Sequence, residues 1–244
     1  MIEICCGSYE DAINSYLGGA KRIELNSALY LGGLTPSIAS LTLTKKNTDL
    51  SVICMVRPRG AGFCYNNIEF EQIMEDAKVL LENGADGLAF GFLNEDHTID
   101  IKKTMEMVNL IKKYKGEAVF HRAFDCVKDP IKSIELLINM KIHRLLTSGL
   151  QAKAMDGKDM IKILQENYGD RIEILAGSGV NASNVNELME YTKISQVHSS
   201  CKDWCTDVTT SGEGVNYCYG PEGHKNDYDF VSKELVKKLV EISK

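Results

Sequence analysis

Carboxylates, histidines and arginines recur in this chain at one kind of place: within or just after a short apolar run. Glu3 and Cys5 stand in Ile2-Glu3-Ile4-Cys5, and Glu24 in Arg22-Ile23-Glu24-Leu25. Arg57 and Arg59 follow the run 52–56, His121, Arg122 and Asp125 follow 118–120, Thr147 and Ser148 follow 144–146, and His198 closes 196–198. An ionisable group in an apolar run is costly to bury unless it is paired. Glu3 and Glu24 therefore need cationic or hydrogen-bonding partners, and arginines of neighbouring runs are the candidates. Two histidines beside carboxylates can move protons or ligate a metal. Glu24, His121, Asp125 and His198 are thus the candidate acid–base groups.

Arg57, Arg59 and Arg122, with Glu3, Thr147 and Ser148, are the candidate substrate contacts. A guanidinium fork matches a carboxylate or phosphate. Arg57 is expected to reach Glu24 or a bound anion, while Arg59 faces solvent or a subunit contact. Gly177-Ser178-Gly179 reads as an anion-binding turn, with Gly177 and Gly179 letting backbone N–H groups approach the ligand. No lysine ends a run, so a Schiff-base mechanism has little support.

Eight cysteines are many for 244 residues. With no secretory signal in view, a disulfide framework is not expected. Cys6 and Cys54 read as small core hydrophobes. His198, Cys201, Cys205 and Cys218 fit no compact zinc spacing. Cys5 is the better soft ligand, since thiolate favours Cu(I). Cys64, after the third run, could add a second thiol if its loop folds inward.

The elements that must position these groups repeat eight times. Apolar runs begin near Ile2, Arg22, Val52, Gly87, Ala118, Arg144, Ile172 and Gln196, and a helical stretch follows each. Gly19-Ala20 and Gly84-Ala85 mark helix ends two or three residues before the next run. Eight strand–helix units in about 250 residues predict an α/β chain forming a single (β/α)8 TIM barrel over 1–244. Its chemistry would lie at the C-terminal strand ends. Residues 201–226 show no periodicity and read as an irregular loop, and 227–243 as the last helix.

Composition sets outer limits. The 44% of hydrophobic residues suffice for a sizeable core, and a net charge of −6 argues against a nucleic-acid or membrane-surface binder. No run approaches 18 apolar residues, and a cytoplasmic location is expected.

Taken in order, Glu3-Ile4-Cys5, Arg22-Ile23-Glu24-Leu25, Gly32-Gly33-Leu34-Thr35-Pro36-Ser37, Arg57-Pro58-Arg59-Gly60, Phe63-Cys64-Tyr65, Phe120-His121-Arg122-Ala123-Phe124-Asp125, Leu146-Thr147-Ser148-Gly149 and Val197-His198-Ser199-Ser200 resemble the CutC copper homeostasis family. The resemblance runs from residue 1 to about 200. It implies a TIM barrel, a cytoplasmic location, copper handling and a homodimer or similar homo-oligomer. Family members commonly carry cysteine where this chain has Asn26, which leaves Cys5 without its partner thiol and predicts weaker Cu(I) binding. Two functions stay open. One is copper homeostasis with Cu(I) held by exposed thiols such as Cys5 and Cys64. The other is an enzyme acting on a small anionic substrate at the barrel mouth.

Overall fold

Period-two alternation inside the runs builds a barrel with two chemically different surfaces. In this computed structural model, which describes residues 1–243, the strands are β1 (Ile2–Cys6), β2 (Arg22–Leu25), β3 (Ser51–Met55), β4 (Gly87–Phe90), β5 (Glu117–Phe120), β6 (Arg144–Thr147), β7 (Glu173–Ala176) and β8 (Gln196–Ser199). They close as one parallel barrel in chain order, and β1 pairs with β8. The helices are α1 (Tyr9–Leu17), α2 (Ile38–Asn47), α3 (Asn67–Glu82), α4 (Ile101–Lys113), α5 (Pro130–Asn139), α6 (Lys158–Tyr168), α7 (Val185–Thr192) and α8 (Lys233–Ile242). Side-chain caps from Ser8, Ser37, Asn66, Asp100 and Asp129 start five of them, satisfying backbone donors that would otherwise lack acceptors. No described helix is long and apolar enough to cross a membrane.

The outward strand residues, such as Ile4, Cys6, Ile23, Leu25, Val52, Cys54 and Leu145, join the main core with the helices. Cys6 and Cys54 are fully buried there. The inward residues form layers. Ile53, Met55, Ala89 and Val119 make a small separate apolar cluster. Most of the rest of the interior is ionic. Arg22 donates to Glu3 at 2.6 Å and to Gln196 at 2.6 Å. Arg144 donates to Glu173 at 2.8 Å and Glu117 at 2.9 Å, and its Nη1 lies 4.0 Å from Glu3. Glu3, Arg22 and Arg144 are all buried.

The tail differs from the sequence reading. Residues 201–226 are not wholly irregular, and the last helix does not begin at Asp227. Strand β9 (Lys202–Thr206) pairs antiparallel with β10 (Asp227–Val231), with Trp204 opposite Asp229, and α8 begins only at Lys233. Each strand is five residues long, and twenty residues separate them. Neither the alternation nor a short turn signal was long enough to announce a hairpin. The hairpin base is tied to the barrel by the Val231 N–H donating to Asp11 at 2.8 Å. Its far loop is held by Tyr219 stacked on Tyr30, with centroids 4.8 Å apart.

The ionic interior makes a stability prediction. Arg22→Met removes the closest cation from a buried Glu3 and is expected to cost about 3–5 kcal/mol. Urea denaturation at neutral pH measures it; a loss below about 1 kcal/mol would mean that Arg144 and His198 already satisfy Glu3.

Candidate functional site

A cavity of about 330 Å³ opens at the C-terminal ends of the strands. Cys5 from β1, Glu24 from β2, Met55 from β3, His121 after β5 and His198 from β8 reach it, as do Asn26 and Arg57 just past their strands. Glu24 and His198 therefore share one mouth, and ligand atoms of Cys5, Glu24 and His198 lie within 4.8 Å of one another. Glu3 sits one layer lower and meets the cavity only through His198. Its Oε1 lies 2.9 Å from His198 Nδ1.

Each group has a charge state set by its neighbours. Burial works against ionising Glu3, but the His198 hydrogen bond and the charges of His198, Arg22 and Arg144 outweigh it and hold the carboxyl at about 2. Burial likewise opposes charge on His198, yet the Glu3 hydrogen bond and the Glu24 and Glu3 charges raise its pKa above the usual value. Nδ1–H is thus fixed on Glu3, and Nε2 is left for the cavity. Glu24 is pushed up by burial and by Glu3, against the pull of His198 and Asn26. Its Oε1 accepts from Asn26 at 3.1 Å, while Oε2 is buried without a partner.

His121 is the opposite of His198. Burial, then the charges of Arg57 and Arg122, lower it to about 3. Nδ1 accepts the Ala123 N–H at 3.1 Å, so the neutral ring carries its proton on Nε2. That Nε2–H is buried with no acceptor. The ring fits because residue 91 is glycine: a Cβ there would lie 2.6 Å from the imidazole. Cys5 is a protonated thiol, its pKa raised well above the ordinary value by burial and then by Glu24. Asn26 donates to its sulfur at 3.6 Å.

Several expectations need correction. Arg57 does not pair with Glu24. Its guanidinium donates to the carbonyls of Leu31, Gly32, Gly33 and Ala61, pinning two loops together beneath the rim. Arg59 is partly exposed and lies outside the cavity, in line with its expected outward direction, on Glu69 at the start of α3. Arg122 lines the cavity but holds Asp125 at 2.8 Å. None of the three presents a free fork, because each found an acceptor within the protein.

Asp125 does not reach the cavity. It accepts from the Ser148 and Leu150 N–H groups and from the Thr147 and Ser148 hydroxyls. Asp125, Thr147 and Ser148 are therefore a loop brace. Cys64 is exposed and is absent from the cavity lining, so it gives Cys5 no second thiol. Cys126, after β5, is exposed too. Gly179 and Ser178 line the cavity, both with left-handed backbone, whereas Gly177 packs against Leu146 and His198 behind it.

The sequence reading missed Met55, Phe63, Tyr30, Lys202 and Asp229, which also line the cavity. Met55 was legible as the inward partner of Ile53 by strand period. Lys202 and Asp229 were not, because they depend on the unseen hairpin.

These features define a class: a (β/α)8 barrel with a mixed carboxylate, imidazole and thiol mouth over an ionic interior. The CutC family model matches residues 1–203, and the chain belongs to the CutC family. A CutC family protein of Treponema denticola is 47% identical over 197 residues, covering 81% of this chain and 79% of the relative. The human copper homeostasis protein cutC homolog is 38% identical over 202 residues, covering 83% and 73%. The crystal structure of the Streptococcus agalactiae protein described as a copper homeostasis protein, CutC, superposes with a TM-score of 0.77 at 30% identity. It covers 82% of this chain and 98% of that one.

The two histidines predict opposite pH effects. Below about pH 6.5 the unfolded chain protonates His121 while the folded chain does not until about 3, so His121 subtracts stability as pH falls, on the order of 3 kcal/mol by pH 4. His198, with its pKa raised, adds stability that is complete below about pH 6.5 and is lost as pH rises through its folded value. His121→Gln is expected to flatten the acid limb by about 3 kcal/mol in urea titrations at pH 7 and pH 4. An acid limb equally steep in variant and wild type would place the loss in other groups.

Proposed function

We propose that the mouth of this barrel binds a small polar organic molecule and moves protons on it, and that any part in copper homeostasis, the role named for its relatives, runs through the same site. The observation that carries this reading is that four residues lining the cavity hold buried polar atoms without partners: Glu24 Oε2 and His121 Nε2–H, together with Asn26 Oδ1 and Arg57 Nε. Leaving such atoms unsatisfied costs about 1–3 kcal/mol each, a cost that a bound ligand removes. The chemistry of the first two is complementary. A carboxylate whose pKa is raised toward neutrality can take a proton. A neutral imidazole N–H can hold a carbonyl or hydroxyl oxygen without itself ionising. His198, oriented by Glu3 and with its pKa raised, can return a proton from the other side. Loop carbonyls take the two terminal nitrogens of Arg57, Arg59 lies on Glu69 outside the cavity, and Arg122 holds Asp125, so the ligand is polar rather than clamped by a free guanidinium fork.

The test is conversion. Small carbonyl and hydroxyl compounds are screened by thermal shift, and those that bind are followed by proton NMR in D₂O for exchange or product. Glu24→Gln is expected to keep binding within a few-fold and to slow turnover by about 10²–10⁴. Turnover that survives unchanged in Glu24→Gln would remove the carboxylate from the chemistry.

A second reading is favoured by the closeness of Cys5, Glu24 and His198: copper as cargo. The set fits a metal only in part. One sulfur, one carboxylate and one imidazole suit a borderline divalent ion, whereas Cu(I) prefers a second soft ligand that Asn26 does not supply. Binding must also expel protons from Cys5 and His198, both with raised pKa. Copper affinity is therefore expected to rise with pH from roughly 6 to 8 and to fall in Cys5→Ser. Competition with a chromogenic chelator measures it; affinity that is flat with pH and unaffected by Cys5→Ser would take copper away from this mouth.

A further inference from the structure

The hairpin that the barrel carries after β8 is also a wall of the cavity. Lys202 on β9 and Asp229 on β10 both line it, and both are placed by contacts outside the barrel. Asp229 Oδ1 accepts from the Tyr219 hydroxyl at 2.8 Å, and the Asp229 N–H donates back to that oxygen at 3.1 Å. Lys202 Nζ lies 3.6 Å from Asp229 Oδ2 and 4.8 Å from the Trp204 ring centroid. Tyr219 in turn stacks on Tyr30, itself a lining residue. The rim acid and base are thus held in place by a chain of contacts anchored on the β2–α2 loop.

The cavity then offers acceptors and donors on both sides. Glu24 Oε2 and Asp229 accept; His121 Nε2–H and Lys202 donate, and His198 presents Nε2. Phe63 and Tyr30 supply apolar ring surface between them. A hydroxyl is both donor and acceptor, so several hydroxyls on one small carbon frame would meet both kinds of group while their C–H faces lie on the rings. A dicarboxylate would meet Glu24 and Asp229 as like charges, and a simple cation would meet Lys202 and His198.

We infer that the ligand is a polyhydroxylated small molecule of sugar or cyclitol type, and that Asp229 and Lys202 of the hairpin are its specificity-determining contacts. This rests on the mouth being the ligand site proposed above. Asp229 lies beyond residues 1–203 that match the family model, so ligand choice is set in part from outside the matched barrel.

The experiment is calorimetric titration and thermal shift of the full chain with D-ribose, D-glucose, D-galactose and myo-inositol, against succinate, inorganic phosphate and alanine. At least one of the polyols is expected to bind, and the three controls are not. Asp229→Asn and Lys202→Met are each expected to weaken that binding about tenfold with the ligand-free melting temperature nearly unchanged. Tyr219→Phe, which frees Asp229 without touching the cavity, is expected to weaken it about threefold and serves if the first two variants fold poorly. Binding of succinate or phosphate alone, or of none of the polyols, would overturn the ligand class. A polyol bound equally by wild type and all hairpin variants would overturn the wall. Failure of the acid–base reading looks different: the hairpin variants lose affinity, while Glu24→Gln both binds and converts the polyol like wild type.

Discussion

The buried charge on Glu3 governs this molecule. A carboxylate held at about 2 inside a barrel obliges the interior to supply cations, and Arg22, Arg144 and His198 are the supply. From this one requirement two consequences run in opposite directions. Downward, Arg144 reaches Glu117 and Glu173, whose side chains are half exposed, so the charge is spread toward solvent at the lower end. Upward, the Glu3 hydrogen bond fixes the orientation of His198 at the mouth. The same ion pairs that replace the usual branched aliphatic filling therefore set the chemistry of the site.

The site itself is a study in unequal environments for like groups. His121 and His198 sit at one mouth, yet the pKa of one is lowered and that of the other raised. The difference lies in their nearest neighbours, arginines for the first and glutamates for the second. Glu3 and Glu24 divide in the same way: Arg22, Arg144 and His198 draw one down, while burial and the Glu3 charge push the other up against the pull of His198 and Asn26. Sites whose like groups are pushed apart in pKa can hold an acid and a base together near neutral pH.

Much of this was legible in the sequence, and the limits were physical. The barrel followed from eight repeated units, because strand and helix periods are local. Glu24, His121 and His198 were legible because a polar residue in or at the end of a buried strand has few places to go. Their partners were harder. Arg57 was expected at Glu24, since opposite charges on adjacent strands should meet; four loop carbonyls competed for the guanidinium and won. Asp125 looked catalytic from its position after His121, but backbone N–H groups of the next loop captured it. Loop conformation decides both outcomes, and no period encodes it. Gly33, with left-handed backbone, illustrates the point. A side chain there would collide with Asn26, so the placement of this cavity-lining amide depends on a glycine seven positions away.

The hydrogen bond between His198 and Glu3 spans 195 positions, and that between Arg22 and Gln196 spans 174. Order of assembly follows from this. Contacts between distant parts of a chain carry their loop-closure entropy before they return any energy. Here the groups that neutralise Glu3 arrive with the second, sixth and eighth strands. A partial barrel of the first four units would bury a carboxylate with one arginine, or leave it wet and the core open. Folding should therefore be slow, with β8 as the closing event. Fragments ending before Gln196 would populate loose, soluble-exchange-prone states rather than stable half-barrels, so this architecture gains its site only when its last strand is in place.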